Sequence, residues 1–329
     1  MSRRIALAVL LPCSFAALAC RDDVSLGNPP TYHPPESELP ACPQSDELET
    51  WAEVAPELGT IRAMKADADG LFVVAAQEGM PGTLLQVKPG SVQVLGSVGV
   101  GAESIALSAA AVFVACAQSS QVFRVAKTGH AILIVSDQPG AHAIVVVQGG
   151  HQAHWVLAGN DGAVRRYNFE GNDLIEEAHA VPPVSIAHDG LSLYVSGQGS
   201  IFRLGDYRSD TTLSGHCDGR LLALTDHDLL CSDANAINQI PRDPGSNAQT
   251  RTVLAHGTAF DLVAGSGRAF FRLEPPAGSS SVPRIMSMPL AGYAAPTVMS
   301  RLPGTGRLLT LTTCHLHLAV ENKLLRWRL

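Results

Sequence analysis

The chain has 329 residues, of which 46% are hydrophobic and only 16% are charged, and its formal net charge is −7. This negative charge argues against a nucleic-acid partner, because such a partner needs a basic surface that neutralises its phosphates. The 30 glycines and 21 prolines predict short strands that are joined by tight turns.

Residues 1–19 have the pattern of an export signal, with a basic start at Ser2-Arg3-Arg4 followed by an apolar run from Ile5 to Leu11. The segment Ala17-Leu18-Ala19-Cys20 that follows resembles the lipobox of bacterial lipoproteins. The resemblance implies that Cys20 becomes the mature N-terminus and carries a lipid, with palmitate among its chains. Because Ala17 and Ala19 also fit the cleavage site of ordinary secretion, a soluble periplasmic or secreted protein is the alternative.

Residues 20–49 are interpreted as a linker between this lipid and a folded domain. Six prolines lie between Asn28 and Gln44, together with few large apolar side chains. Such a segment stays extended because it cannot bury enough apolar surface to fold. In lipoproteins an Asp after the lipidated cysteine favours the inner membrane, and Arg21 stands there instead. The resemblance therefore implies an outer-membrane location in the cell envelope.

Residues 50–329 contain a short apolar strand that recurs seven times. It has Gln, Arg or Ser in third place and a large apolar residue in fourth place. The seven copies are Leu84-Leu85-Gln86-Val87, Val122-Phe123-Arg124-Val125, Val164-Arg165-Arg166-Tyr167, Ile201-Phe202-Arg203-Leu204, Ile237-Asn238-Gln239-Ile240, Ile285-Met286-Ser287-Met288 and Leu324-Leu325-Arg326-Trp327. From Leu84 to Leu324 is 240 residues in six steps, a mean of 40. This period predicts an all-β, seven-bladed β-propeller, or one of six or eight blades if a copy is spurious or missed.

Each repeat predicts a blade of four strands, although the seventh repeat ends at Leu329, directly after its third strand. The segment Thr50 to Val54 stands ahead of the first repeat and is predicted to supply the missing strand. That pairing closes the ring and removes an exposed sheet edge. The repeats at Val112 to Val125 and at Leu191 to Leu204 resemble those of bacterial YVTN/NHL-type propellers. This resemblance implies the fold and assigns no activity.

Two disulfides are predicted from the position of the cysteines in the blades. Cys217 and Cys231 belong at one face of the ring, and Cys42 and Cys314 at the other, so that these are the expected pairs. Cys116 is expected to remain unpaired. Buried thiols that pack as small apolar groups are the alternative.

Candidate ligand-binding residues stand near the start of the innermost strands, where propellers open their central channel. They are Arg62, Glu103, His142, Arg220, Asp261 and Arg307. The arginines favour a carboxylate or phosphate ligand, because a guanidinium offers a planar fork of donors. The alternative is that Arg62 or Arg307 forms an ion pair with Glu103 or Asp261 and only fills the channel.

The sequence contains no Gly-x-Ser-x-Gly elbow, phosphate loop or His-Glu-x-x-His pattern, and no cofactor or metal is predicted. We therefore expect a monomeric lipoprotein, anchored to a membrane, whose propeller is a non-catalytic platform for a protein or a surface polymer. The alternatives are a propeller enzyme of lactonase or lyase type and a periplasmic binder of small acids. Both alternatives would use the channel mouth.

Overall fold

The computed structural model describes residues 48–147, 154–172, 174–178, 185–189, 192–197, 200–204, 210–213, 222–225, 227–233, 236–242, 251–254, 258–265, 267–275, 280–290, 295–301, 308–312 and 314–329. These residues form seven antiparallel sheets of four strands each. The fold is therefore a seven-bladed β-propeller, as the repeats predicted. Pro56–Leu58 form a single 3-10 turn. Within this part of the chain, no helix has the length and apolar character to cross a membrane.

The strands follow one another along the chain, four to a blade. Blade 1 contains β2 (Thr60–Asp67), β3 (Gly70–Ala76), β4 (Pro81–Lys88) and β5 (Ser91–Val100). Blade 2 contains β6 (Ala102–Leu107), β7 (Ala111–Cys116), β8 (Gln121–Ala126) and β9 (Ala131–Val135). Blade 3 contains β10 (Ala143–Val147), β11 (His154–Ala158), β12 (Ala163–Tyr167) and β13 (Leu174–Ala178). Blade 4 contains β14 (Ser185–His188), β15 (Leu193–Gly197), β16 (Ser200–Leu204) and β17 (Asp210–Thr212).

The remaining blades repeat this order, and the last one also takes the N-terminal strand. Blade 5 contains β18 (Leu222–Leu224), β19 (Asp228–Asp233), β20 (Ala236–Pro241) and β21 (Arg251–Leu254). Blade 6 contains β22 (Thr258–Gly265), β23 (Arg268–Glu274), β24 (Arg284–Pro289) and β25 (Thr297–Arg301). Blade 7 contains β26 (Leu308–Leu311), β27 (His315–Val320), β28 (Lys323–Arg328) and β1 (Leu48–Glu53). The first strand of each blade contacts that of the next, and β26 contacts β2, so these strands form a closed inner ring.

The N-terminal strand closes the ring as predicted, although it runs from Leu48 to Glu53 instead of from Thr50 to Val54. It pairs with β28, with Leu48 opposite Trp327, and the register shifts at Trp51. The backbone N–H of Ile61 then donates to the carbonyl of Glu321 at 2.9 Å, which joins blade 1 to blade 7. β1 is thereby the outermost strand of blade 7, and it covers the edge that β28 would otherwise expose.

The core consists of apolar layers between neighbouring blades. Seven clusters of buried side chains occur, one for each of the seven interfaces between blades. The second strand of each blade supplies the largest share, and all six residues of β7 are buried. A strand that is buried on both faces reads as a continuous apolar run, which is the pattern of Val112-Phe113-Val114.

Ion pairs also join neighbouring blades, at the face where each blade makes its first turn. Lys127, which follows β8, places its Nζ atom 2.6 Å from Oδ2 of Asp67 and 2.7 Å from Oδ2 of Asp69, both in the first turn of blade 1. Arg242, which follows β20, places Nη1 3.0 Å from Oδ2 of Asp189, in the first turn of blade 4. Each pair therefore ties the third strand of one blade to the first turn of the preceding blade.

Candidate functional site

A wide cavity opens at the mouth of the central channel. Its volume is about 1210 Å³, and residues of blades 1, 2, 6 and 7 line it. The lining comes from the first residues of β2, β6, β22 and β26 and from the segment that joins β1 to β2. The ends of the second strands in blades 6 and 7, and the residues that follow the second strands in blades 1 and 7, complete it. Because strands in a blade alternate in direction, these segments all lie at one face of the ring.

Carboxylates dominate the charge of this mouth. The acidic residues that line it are Glu53, Glu78, Glu103, Glu274 and Glu321, and the basic ones are Arg62 and Arg272. Glu103 and Glu321 are exposed to solvent. The described part of the lining therefore has an excess of negative charge, although the sequence analysis expected an excess of arginine.

Arg272 is held in place by three neighbouring groups. Its Nε atom donates to Oδ2 of Asp261 at 3.2 Å, and its Nη1 atom pairs with Oε1 of Glu274. Its guanidinium also lies 4.9 Å from the centre of the Phe260 ring. Only 6% of Arg272 is exposed, so two carboxylates and one aromatic face surround most of this cation. Arg272 therefore contributes little positive charge that a ligand could use.

An irregularity in β22 positions Asp261 for this contact. The register of β22 against β23 shifts between Phe260 and Val263, and Asp261 has a φ of 54°. A bulge of this kind re-aims a side chain, and here it brings Asp261 to Arg272 on the neighbouring strand. The expected partner of Asp261 was Arg62 or Arg307. Within the described residues, the cation beside Asp261 is Arg272.

The other predicted residues fall into two groups. Arg62 and Glu103 lie at the mouth, whereas His142 is not among the residues that line it. The Nδ1 atom of His142 instead lies 2.9 Å from the carbonyl oxygen of Gly140. Arg220 and Arg307 lie outside the described residues, as do Cys20, Cys42 and Cys217.

Sequence reasoning missed four of the five glutamates because it considered only the innermost strands. Glu78, Glu274 and Glu321 each stand at the end of a second strand or within two residues of it. A comparison of the repeats at that position would have found them. The second strand ends at the same face at which the first strand begins, so both sets of residues reach one mouth.

Lys65 lies deeper along the innermost strand of blade 1. Its side chain is exposed to solvent, yet desolvation by the protein around it lowers the pKa of its amine below the usual value of 10.5. An amine whose pKa is lowered is uncharged more often at neutral pH, and is then more nucleophilic.

Cysteine and histidine side chains are the commonest ligands of zinc in proteins. Cys116 is the free cysteine among those that the structure describes, and burial raises the pKa of its thiol to about 12. The rings of His315 and His317 lie 5.9 Å apart on β27. In the described ranges, no group of three or more His, Cys, Asp or Glu residues could hold a metal ion.

Comparisons with known proteins give the fold and nothing finer. No protein-family model matches the sequence, and no curated protein matches it. A solved streptogramin B lyase matches with a TM-score of 0.67 at 12% identity, over 85% of this chain and 96% of that chain. Virginiamycin B lyase from Staphylococcus aureus matches with a TM-score of 0.66 at 14% identity, over 86% and 99%. BamB from Moraxella catarrhalis matches with a TM-score of 0.58 at 12% identity, over 82% and 85%.

Proposed function

We propose that this chain is a cell-envelope lipoprotein whose propeller is a non-catalytic binding platform for a basic segment of a partner protein. The signal-like N-terminus, Cys20 and the proline-rich linker support the anchor. We propose in addition that the protein is located at the outer membrane and that its blades are of the YVTN/NHL type. The observation that carries the binding function is the excess of carboxylates at the channel mouth.

The geometry of the mouth favours a macromolecular segment over a small ligand. A cavity of about 1210 Å³ exceeds the usual volume of small-molecule pockets. Apart from Glu274, which pairs with Arg272, four glutamates around an open mouth attract lysine and arginine side chains. This attraction increases the rate of association and disfavours acidic partners. Arg272 is already paired with Asp261 and Glu274, so it does not oppose this attraction.

The test uses the full chain, purified in detergent, and two fluorescent peptides, hexalysine and hexaglutamate. We expect hexalysine to bind more weakly as salt is added, because salt screens exposed charges. The double variant Glu103→Gln/Glu321→Gln should weaken binding about three- to tenfold. Glu170→Gln removes an exposed carboxylate far from the mouth and serves as the matched control. Equal losses in both variants would point to unspecific attraction and would overturn the proposal.

Two further outcomes correspond to the alternatives. Binding of hexaglutamate and small organic acids, with loss in Arg62→Gln, would favour a binder of small acids. The second alternative is a propeller enzyme, and streptogramin B and virginiamycin B lyases share the fold of this chain. Incubation with a streptogramin B antibiotic, followed by mass spectrometry, tests the lyase. If a product forms and the Glu103→Gln variant does not form it, the protein is an enzyme and the proposal of a non-catalytic platform is wrong.

The lipid anchor is tested separately. We expect the mature protein to begin at Cys20, and its intact mass to exceed that of residues 20–329 by the mass of the attached lipid. An unmodified N-terminus would indicate that residues 1–19 are an ordinary secretion signal and that the protein carries no lipid. That result would not affect the binding proposal, since the mouth is built from blades 1, 2, 6 and 7.

A further inference from the structure

A second cavity lies at the opposite face of the ring, in the groove between blades 1 and 2. Its volume is about 540 Å³, within the range of small-molecule sites. The first turns of both blades and the turns after their third strands line it, including Asp69, Lys88, Ala110 and Lys127. Because these turns lie at the ends of the strands away from the channel mouth, the groove and the mouth are separate.

The charge of this groove is opposite to that of the mouth. Lys88, Arg124, Lys127 and His130 line it, and Asp69 supplies the carboxylate among its lining residues. Lys127 already pairs with Asp69 and with Asp67, so that its position is fixed and its single charge is outweighed by two carboxylates. The cations that remain for a ligand are Lys88 and Arg124.

Arg124 and Lys88 are both accessible. Arg124 lies 3.6 Å from Glu170, whose side chain is 61% exposed, and this ion pair is long and open to solvent. Lys88 is exposed, and its positive charge is near enough to Asp69 to help lower the pKa of that carboxyl. An exposed ion pair contributes little free energy, so an anion could replace Glu170 beside Arg124 at small cost.

The floor of the groove is apolar. Ala110, neighbouring alanines and Ile132 form it, and 47% of Ile132 is exposed. The backbone N–H of Lys127 donates to the carbonyl of Ala110 at 3.0 Å, and that of His130 donates to the carbonyl of Leu95 at 3.0 Å. The first bond lies within blade 2, and the second ties blade 2 to blade 1 beside the groove. A ligand would therefore meet a preformed site, which reduces the cost of ordering on binding.

We propose that this groove binds a small organic phosphate, with its anionic head at Lys88 and Arg124 and a short apolar body against Ala110 and Ile132. Arg124 offers a planar fork that matches phosphate oxygens, and Lys88 adds a mobile positive charge. The alanine floor leaves space for a chain of a few carbons. The same head chemistry occurs on free organophosphates and on phosphatidic acid in a membrane, and the experiment distinguishes these two sources.

The experiment measures binding to the full chain by isothermal titration calorimetry with hexyl phosphate, inorganic phosphate and hexanol. Hexyl phosphate should bind most tightly, inorganic phosphate more weakly, and hexanol not measurably. Arg124→Gln and Lys88→Gln should each weaken hexyl phosphate binding about two- to fivefold. Lys323→Gln, which removes an exposed cation at the other face, should leave it unchanged.

A variant of the floor separates the roles of head and body. Ala110→Leu should fill the floor and bring hexyl phosphate to the affinity of inorganic phosphate, while inorganic phosphate binds as before. The backbone carbonyl that accepts from Lys127 is retained in this variant. Thermal melting of each variant shows that the propeller is intact.

Sedimentation with phosphatidic acid vesicles identifies the source of the phosphate. If the protein sediments with the vesicles and the Arg124→Gln variant does not, the ligand is a phosphate of a membrane lipid. If the protein binds hexyl phosphate but does not sediment with the vesicles, the ligand is a soluble organophosphate. The proposal would be overturned if hexyl phosphate gave no heat at millimolar concentration. Equal weakening by Lys323→Gln and Arg124→Gln would also overturn it.

Discussion

The indole ring of Trp51 lies 5.0 Å from the imidazole ring of His317, and the guanidinium of Arg326 lies 5.9 Å from the same indole. Trp51 belongs to the N-terminal strand and His317 to β27 in the last repeat, so this contact is part of the closure of the ring. The Nε1 atom of Trp51 and the Nδ1 atom of His317 are buried without a hydrogen-bond partner in the described structure. The closure therefore depends on a neutral imidazole that packs as an aromatic ring.

We expect protonation of His317 to destabilise the propeller below pH 6.5. Burial, together with the nearby His315 and Arg326, lowers the pKa of His317 from 6.5 to about 4. Between these pH values the unfolded chain binds a proton that the folded chain does not bind, so the free energy of unfolding falls as pH falls. The loss approaches about 3 kcal/mol at pH 4. Urea unfolding at pH 7.5, 5.5 and 4.5 measures it.

Replacement of His317 separates this effect from the titration of other groups. His317→Phe keeps an aromatic ring beside Trp51 and should reduce the pH dependence of stability between pH 6.5 and 4. His130→Gln removes an exposed imidazole and is the control. If the control and His317→Phe showed the same pH dependence as the unchanged protein, His317 would not be the responsible group.

Removal of the charge of Lys127 should loosen blades 1 and 2. Partial burial alone would lower the pKa of Lys127, yet hydrogen bonds to Asp67 and Asp69 outweigh it and raise this pKa. Lys127→Met keeps the apolar stem beside Phe72 and leaves two carboxylates without their cation. We expect a loss of about 1–3 kcal/mol and a melting temperature lower by several degrees. Lys323→Met should change neither quantity by more than about 0.5 kcal/mol.

Loss of the N-terminal strand should open the ring. Protein that lacks residues 1–53 leaves β28 as an exposed edge and removes Trp51 from its contact with His317. We expect melting about 10 °C lower, together with self-association through the open edge. Protein that lacks only residues 1–45 retains β1 and is the matched control. A monomer with unchanged melting after the longer deletion would show that β1 is dispensable.

Lys65 should react faster with acylating reagents than the other lysines do. Desolvation lowers the pKa of its amine, so that a larger share is uncharged at pH 8. Acetic anhydride at low conversion, followed by peptide mass spectrometry, gives the rate at Lys65 relative to Lys88 and Lys323 in one sample. A slower reaction at Lys65 than at Lys323 would contradict the expectation.

The two disulfides stay predictions, because Cys42 and Cys217 lie outside the described residues. Digestion without reduction should yield one peptide pair that joins Cys217 to Cys231 and another that joins Cys42 to Cys314. Cys116 should be alkylated only after denaturation, since it is buried and its thiol pKa is raised to about 12. A linked peptide that contains Cys116 would refute this pairing.

The sequence pattern predicted the blades well because the strands of a blade are consecutive in the chain and pair with their sequence neighbours. The apolar run at Val112-Phe113-Val114 and the marker Val122-Phe123-Arg124-Val125 became β7 and β8, which pair across a short turn. The closing strand was predicted two residues late at its start and one residue too long at its end. Strand ends depend on pairing with β28, and the sequence near Leu48 does not show that pairing.

The sequence by itself predicted the propeller fold, the order of the strands in a blade and the closure by the N-terminus, because these follow from repeats and from short-range alternation. It favoured seven blades and left six or eight open, and the seven sheets of the structure decided the number. The tertiary structure decided which charges meet. Arg272 approaches Asp261 through a bulge in β22, and Trp51 meets His317 only after the ring has closed. Contacts between blades depend on the twist and register of separate sheets, and neither is encoded within one repeat. The described part of the mouth is acidic because glutamates at or just after the ends of second strands reach it, whereas the sequence analysis selected positions on the innermost strands.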